Sequence, residues 1–337
     1  MTFLLLPTAA QLVAAPGPAL RGTVVGAETG QPLGFSIVSL IPSSSKRFTN
    51  ATGTFAFPDI VAGNYVLSVR QIGYAPLDTP IVVRADSATT LVLRLRHLAI
   101  ELPPVTIAAT QCTNPGPPDS SDTALRAVFD QLQENARRFE LLADSYPFRY
   151  QLEQTVRYVN QRGDTGRPMT KRMWLSSSDN REHPYAGGRV VERGWGPWGD
   201  DVLLIHSADL EDLGNPSFVA NHCFRLAGRD TMGGETLVRI DFEPATRIPT
   251  ADIAGAAYLD SITYRLRFTE TTLTRPERSA LTNVLEVRFR TRFRNVTLGI
   301  ALQDSLTAIT TYRFGQGPRI ETQRTLEVRF RRPVPVP

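Results

Sequence analysis

Apolar and charged residues alternate with a period of two along much of the C-terminal part of this 337-residue chain. Val287, Phe289 and Phe293 alternate with arginines, and a similar run begins at Leu326 and ends at Phe330. Because successive side chains of a strand point to opposite faces, each run predicts a strand with one apolar and one charged face. Together the runs predict a large, curved antiparallel sheet. The predicted strands are Phe148–Val159, Thr170–Ser176, Val202–Ile205, Thr236–Phe242, Ala256–Leu259, Ile262–Thr271, Val284–Val296, Leu306–Phe314 and Ile320–Phe330.

One stretch departs from this pattern and has the periodicity of a helix. Its apolar residues lie three or four positions apart, and Ser121 or Asp122 is available as an N-terminal cap. The pattern predicts one amphipathic helix over residues 122–143. A sheet with one apolar face needs a cover, so we expect this α-helix to pack on the sheet in a half-barrel-like α+β domain, residues 122–337. The apolar helix positions are Leu125, Val128, Phe129, Leu132, Ala136 and Phe139.

Residues 20–108 contain shorter strand-like runs separated by turn residues, a pattern typical of a β-sandwich. We expect Gly30, Gly53 and Gly63 to occupy tight turns that demand positive φ. A proline-rich linker, residues 109–121, separates this domain from the next. The chain is therefore predicted to be mainly β. The aromatic residues expected between the two sheets of the sandwich are Phe55, Phe57 and Tyr65.

Short motifs containing glycine follow one another in this first domain: Gly22-Thr23-Val24, Gly30-Gln31-Pro32-Leu33, Gly53-Thr54-Phe55-Ala56-Phe57, Gly63-Asn64-Tyr65 and Gly73-Tyr74. In this order they resemble the carboxypeptidase regulatory-like domain, a transthyretin-like β-sandwich with a carbohydrate-binding-like fold. The resemblance implies a non-catalytic spacer or docking module, with the regulatory part of a carboxypeptidase-type system as an alternative.

Motifs in the second domain carry a further resemblance: Phe218 with His222-Cys223-Phe224, the run Ile240–Pro244, the run Ile253–Asp260 and Thr263–Leu266. They resemble the half-barrel of outer-membrane lipoprotein carriers and chaperones. The resemblance implies a sheet whose apolar face holds an acyl chain or a peptide.

The N-terminus predicts export. Residues 1–19 contain an apolar run that ends in small residues at Ala15 and Ala19, as cleavage by a signal peptidase requires. The basic segment that usually precedes such a run is missing, so a short apolar leader and a disordered N-terminal extension both stay open. We expect an exported protein in the periplasm or associated with the outer membrane. No other run approaches the roughly 20 apolar residues of a membrane-spanning helix, so no membrane span is expected.

Cys112 and Cys223 are the only cysteines of the chain. An exported protein meets an oxidising compartment, which favours a disulfide between them. Two unpaired, buried thiols are the alternative. A disulfide would attach the linker to the second domain.

The charge balance argues against a nucleic-acid partner, and none is expected. The chain has 37 basic and 33 acidic residues, and the arginines alternate with acidic, polar and apolar residues along the predicted strands. A nucleic-acid-binding surface needs a basic patch with exposed aromatic residues instead.

No motif for catalysis or metal binding is present. The His-x-x-Glu pair of zinc carboxypeptidases is absent, and His206 with Asp209 is its nearest imitation. Cys223 beside His222 is the nearest nucleophile and base, but adjacent strand residues point to opposite faces. The hydrolase elbow and the glycine-rich phosphate loops are also absent. We therefore expect a non-enzymatic protein without a metal or other cofactor.

Aromatic residues cluster between residues 185 and 198. Trp195 and Trp198 lie in a segment of loop-like composition, with Tyr185 in a neighbouring loop. Exposed aromatic rings stack on sugars, whereas buried ones would plug the mouth of the half-barrel, and both interpretations stay open. The expected ligands are therefore a lipid or peptide, with a glycan as the alternative, and the expected macromolecular partner is an envelope protein.

Overall fold

The chain divides into two compact units, one comprising residues up to Arg70 with Ala75–Arg96, the other Gln71–Tyr74 with all residues from His97 onward. The fold is mainly β, as the sequence predicted. None of the helices within the described residues has the length and apolar character needed to cross a membrane. The computed structural model describes residues 19–58, 60–85, 87–102, 111–160, 162–177, 184–195, 201–297, 300–315 and 317–332.

The first unit contains two small sheets, as expected for a sandwich. One has the strand order β4-β1-β7 and the other the order β3-β2-β5-β6. Alternate residues are buried, with Leu20 and Val24 from one sheet and Leu40 and Leu67 from the other at 1% exposure or less. The strands are β1 (Ala19–Gly26), β2 (Ile37–Ile41), β3 (Lys46–Phe48), β4 (Thr54–Phe57), β5 (Gly63–Arg70), β6 (Leu77–Val83) and β7 (Ala88–Leu95).

Two of the three predicted turn glycines have positive φ. Gly30 has φ of 66° and Gly53 has φ of 72°. A Cβ atom on Gly53 would lie 2.6 Å from the carbonyl oxygen of Val24, so this turn needs glycine for space as well as for φ. The prediction for Gly63 was wrong, because this residue begins strand β5 and pairs with Val83 in the sheet.

The second unit is built on one antiparallel sheet of nine strands in the order β12-β13-β14-β15-β16-β17-β18-β8-β9. A separate hairpin pairs β10 with β11. The strands are β8 (Phe148–Tyr158), β9 (Met169–Ser176), β10 (Val191–Trp195), β11 (Asp201–Ile205), β12 (His222–Met232), β13 (Glu235–Pro244), β14 (Asp252–Asp260), β15 (Leu266–Thr274), β16 (Val284–Thr297), β17 (Ile300–Tyr312) and β18 (Arg319–Phe330).

The predicted helix is α1 (Thr123–Ser145), and a short helix α2 (Pro216–Asn221) precedes β12. The carboxylate of Asp122 caps α1 by accepting a hydrogen bond from the backbone N–H of Leu125 at 3.0 Å. Helix α1 contacts β12, β13 and β17, so it covers the apolar face of the sheet as predicted. Its apolar side chains join a core formed with the sheet and with α2.

Polar residues of α1 are buried as well, which the apolar periodicity did not predict. The side chain of Asn135 accepts a hydrogen bond from the N–H of Leu266 at 3.0 Å and donates one to the carbonyl of Tyr264 at 3.0 Å. Gln131 accepts a hydrogen bond from the N–H of Gly73 at 2.7 Å. These side chains are buried because they satisfy backbone groups that regular sheet pairing leaves open.

The strand predicted from Ile262 begins at Leu266 instead. The carboxylate of Asp260 accepts hydrogen bonds from the N–H groups of Ile262 and Thr263, which closes a turn at this point. Tyr264 follows with φ of 53°. The side chain of Asp260 therefore competes with the strand that the apolar alternation favours.

Candidate functional site

A cavity of about 280 Å³ lies in the second unit between α1, the covered face of the sheet and the segment that follows β11. It is the candidate functional site. Residues of α1, β8, β9, β11, β16, β17 and β18 contribute to its wall. The lining residues are Phe139, Phe148, Tyr150, Leu152, Leu175, Ser176, Ser177, Ile205, His206, Ser207, Asp209, Leu210, Glu211, Phe293, Leu302, Gln303, Leu306, Gln323 and Thr325.

The alternation of strand residues produces the apolar part of this wall. On β8, Phe148 and Leu152 face the cavity, and on β17 Leu306 does so. Phe139 of α1 packs edge-on against Phe148, with ring centroids 6.2 Å apart. The cavity therefore has a largely apolar wall on this side, and it is partly open to solvent.

One edge of the cavity is polar and centres on His206, directly after β11. The Nε2 atom of His206 lies 2.7 Å from a carboxylate oxygen of Asp212, a residue that is 3% exposed. Asp209 and Asp212 each accept a hydrogen bond from the backbone N–H of the other, at 3.0 and 2.9 Å. These reciprocal hydrogen bonds close the turn between Asp209 and Asp212, and the carboxylate of Asp212 holds His206 at the wall.

These contacts shift two pKa values. Burial disfavours the charged form of His206, but the hydrogen bond and the charge of Asp212 outweigh burial and raise the pKa of His206. Burial, together with the charge of Asp212, raises the pKa of Asp209 well above its usual value. The folded protein therefore favours the protonated form of both groups.

A second polar cluster, formed by Tyr185, Asp252 and His222, is buried behind this edge. The hydroxyl of Tyr185 donates to the carboxylate of Asp252, with O···O distances of 2.8 and 3.0 Å. Burial, followed by the charge of Asp252, raises the pKa of Tyr185, so its hydroxyl remains a donor. Asp252 also accepts hydrogen bonds from the N–H of Gly188 at 2.9 Å and of Ile253 at 2.7 Å.

His222 is fully buried in the same cluster. Its ring nitrogens lie 2.8 Å from the carbonyl oxygen of Phe218 and 2.9 Å from that of Ile253, and its ring stacks on Phe218. Burial lowers the pKa of His222, while the two carbonyls and the charge of Asp252 oppose that shift. The ring thus joins α2 to β14 at the start of β12.

The structure separates the aromatic residues that were considered as ligand contacts. Trp195 ends strand β10 rather than lying in a loop, and it is 78% exposed. Tyr185 is 4% exposed, because its hydroxyl is held by Asp252 and its ring packs edge-on against Phe218. Trp198 lies outside the described residues. Tyr185 is therefore unavailable for an exposed aromatic platform with Trp195.

Cys112 and Cys223 form a disulfide, with their Cα atoms 5.5 Å apart. Cys112 is buried with Ala245 and Ile248, and its carbonyl accepts a hydrogen bond from the N–H of Thr246 at 2.9 Å. The disulfide therefore attaches the segment before α1 to β12 and to the loop after β13.

The sequence paired His206 with Asp209 as the nearest imitation of a metal site, but the acid that contacts the ring of His206 is Asp212. The spacing Asp209-Leu210-Glu211-Asp212 is a capping signal in which a polar residue is followed three positions later by an acid, and it would have identified Asp212. No local signal points to Asp252, whose partner Tyr185 lies 67 positions earlier. Within the described part of the chain, no three His, Cys, Asp or Glu side chains gather in a way that could hold a metal ion.

The first unit matches the model of a known domain family. Residues 19–96 match the model of the carboxypeptidase regulatory-like domain, which confirms the resemblance found in the motifs around Gly22 and Gly53. No curated protein sequence matches the chain.

Solved structures are similar to a larger part of the chain. A DUF1329 family protein from Desulfovibrio piger has 10% sequence identity and a TM-score of 0.35, over 61% of this chain and 93% of that protein. A LolA superfamily protein from Nitrosomonas europaea has 12% identity and a TM-score of 0.33, over 61% of this chain and 94% of that protein.

Proposed function

We propose that the chain is a non-catalytic binding protein of the bacterial envelope, and that its second unit holds one apolar chain in the cavity beneath α1. The observation that carries the proposal is the cavity itself. Protein interiors are close-packed and contain few voids larger than a water molecule. The space of about 280 Å³ beside Phe148, Leu152 and Leu306 is not filled by the protein's own side chains and is partly open to solvent, so a ligand can enter it.

The volume and lining fit a single acyl chain or an apolar peptide segment. Small-molecule pockets span roughly 300–1,000 Å³, and this cavity, at about 280 Å³, lies just below that range. Transfer of each methylene group from water into such a space contributes about 0.8 kcal/mol. A ligand with one alkyl chain would thus gain affinity from every carbon that enters.

Two observations support the envelope location and a docking role of the first unit. The disulfide between Cys112 and Cys223 suits an oxidising compartment such as the periplasm. Residues 19–96 match the carboxypeptidase regulatory-like domain, and we take this unit to be a docking module. We assign to this unit the docking of an envelope protein, and to the second unit the binding of the ligand.

The test uses the full chain and the neutral fluorescent probe N-phenyl-1-naphthylamine. Leu306→Phe places a larger ring in the cavity, because Leu306 lines it and is 5% exposed. Thr307→Phe is the matched control, since the neighbouring strand residue points to the opposite face of the sheet. We expect Leu306→Phe to weaken probe binding at least about tenfold and Thr307→Phe to leave it at the wild-type value.

Thermal unfolding of both variants accompanies the titration. Equal binding by wild type and Leu306→Phe, with both folded, would refute the carrier proposal. If Leu306→Phe fails to fold, Leu302→Phe provides the same test from another position in the wall.

Glycan binding is a second candidate, supported by the exposure of Trp195 on β10. An exposed indole offers a flat surface on which a sugar ring stacks. If the chain binds a polysaccharide in a sedimentation assay, replacing both Trp195 and Trp198 with alanine is expected to abolish that binding. Unaltered sedimentation of the double variant would remove this candidate.

A further inference from the structure

A row of polar side chains begins at the cavity wall with Gln323 and extends along the same face of the sheet. Gln323 lines the cavity and pairs across the strands with Gln154 of β8 and Leu306 of β17. Two residues earlier on β18, Glu321 lies on the same face, as residues of a strand do at a spacing of two. We call Gln154, Gln323, Glu321 and Arg319 the amide row.

The carboxylate of Glu321 organises this row. One of its oxygens accepts hydrogen bonds from the side-chain amides of Gln154 and Gln323, the latter at 3.0 Å. The other oxygen accepts a hydrogen bond from the guanidinium of Arg319 at 2.6 Å. The two opposite charges are therefore paired within the row, and the amide nitrogens of both glutamines are oriented toward Glu321.

The hydrogen bonds that remain possible determine what the row can bind. A primary amide has two donor hydrogens and an accepting oxygen, and each glutamine uses its nitrogen as a donor to Glu321. Each glutamine therefore keeps its carbonyl oxygen as a positioned acceptor and one N–H as a donor. A neutral group with both a donor and an acceptor complements this surface.

Ionic groups complement it less well. An anionic head group would need the charge of Arg319, which Glu321 already neutralises at 2.6 Å. An ammonium group would need the carboxylate of Glu321, which already accepts three hydrogen bonds. Removing either ion from its partner in a half-buried site costs free energy, so the row favours an uncharged ligand group.

We propose that the amide row binds a secondary amide attached to the apolar chain that occupies the cavity. The inference rests on the proposed function and specifies its ligand class: an alkyl chain that ends in an amide, as in an N-acyl group or a peptide. Gln323 is the residue that selects it, because it belongs both to the cavity wall and to the row.

Burial makes this selection strong. Gln154 is 9% exposed, and the side chain of Glu321 is 12% exposed, so water competes weakly for their hydrogen bonds. A site that hydrogen-bonds a ligand N–H discriminates against an analogue without it, since its own polar atoms are then left unpaired.

The experiment compares an amide with the ester in which an oxygen atom replaces that N–H. N-methyldecanamide and methyl decanoate have the same chain, and each displaces N-phenyl-1-naphthylamine from the full-length protein in a competition titration. We expect the amide to bind wild type at least about tenfold more tightly than the ester, and we expect this ratio to fall to about one in Gln323→Leu. Effects of the substitution on the cavity cancel in the ratio, because both ligands share them.

Thr322→Val is the control, since Thr322 is the neighbour of Gln323 on the opposite face, and it should keep the wild-type ratio. A ratio of about one in wild type, with the probe bound, would overturn the amide inference while the proposed function stands. Failure of wild type to bind the probe or either ligand would instead refute the proposed function and this inference with it. If Gln323→Leu does not fold, Gln154→Leu tests the same row.

A third ligand distinguishes the two possible sources of the amide, a peptide and an N-acylated molecule. An acetylated, amidated trileucine presents amides with apolar side chains and lacks a linear alkyl chain. Tighter binding of this peptide than of N-methyldecanamide would identify a peptide as the source, and the reverse order would identify an N-acylated molecule.

Discussion

Replacing Cys112 and Cys223 together with alanine is expected to lower the free energy of unfolding of the second unit by about 4–5 kcal/mol. The two residues are 111 positions apart, and the chain-entropy model gives about 4.7 kcal/mol for a loop of about 100 residues. The loop includes α1 and both strands of the β10–β11 hairpin. Without the disulfide, the unfolded chain gains the freedom that the loop had lost.

Urea titration followed by tryptophan fluorescence measures this change in the second unit, because Trp174, Trp195 and Trp198 all lie beyond residue 97. Wild type treated with a reductant provides the control and should unfold at the same urea concentration as the double variant. A decrease of less than about 1 kcal/mol would show that the unfolded state is already compact around the two cysteines.

Asp252→Ala is expected to destabilise the second unit by about 3–5 kcal/mol. The carboxylate is fully buried and accepts hydrogen bonds from the hydroxyl of Tyr185 and from the backbone N–H groups of Gly188 and Ile253. Alanine leaves these donors buried without an acceptor, and His222 loses the negative charge that lies 4.0 Å from its ring. The same urea titration measures the loss.

Tyr185→Phe is the matched control for this cluster, because it removes one donor and keeps the buried ring. We expect it to cost about 1 kcal/mol in the wild-type background. In the Asp252→Ala background it should cost much less, since the hydroxyl no longer has its acceptor there. Strictly additive costs would contradict the hydrogen bond between these two residues.

Local patterns predicted the long helix and most of the strands of the second unit, but not β10 or β12. The strand predicted at Val202–Ile205 was wrongly assigned to the large sheet, because β11 pairs with β10 instead. The spacing of apolar residues from Leu125 to Phe139 and the cap at Asp122 predicted a helix over 122–143, and α1 occupies Thr123–Ser145. Alternation predicted the long strands of the sheet, including β16 and β18. These features depend on the geometry of one helix or one strand, which repeats every few residues and is therefore visible in the sequence.

The candidate site could not be predicted in the same way. Cavity residues come from Phe139 to Thr325 and meet only because five neighbouring strands, β16, β17, β18, β8 and β9, pair in one register. A shift of one residue in β17 would turn Leu306 away from the cavity, and the same shift in β18 would turn Gln323 away. Register over such distances is decided by the packing of the whole unit and has no local signature.

The sequence by itself determined the kinds of element, the sandwich in residues 19–96 and the pair of cysteines available for a disulfide. Only the tertiary structure decided that Tyr185 is buried against Asp252 and that Trp195 is exposed. It also decided that Gln154, Gln323 and Glu321 form one row. The physical reason is that a polar side chain in a strand takes its role from partners across the sheet, and these partners are distant in sequence.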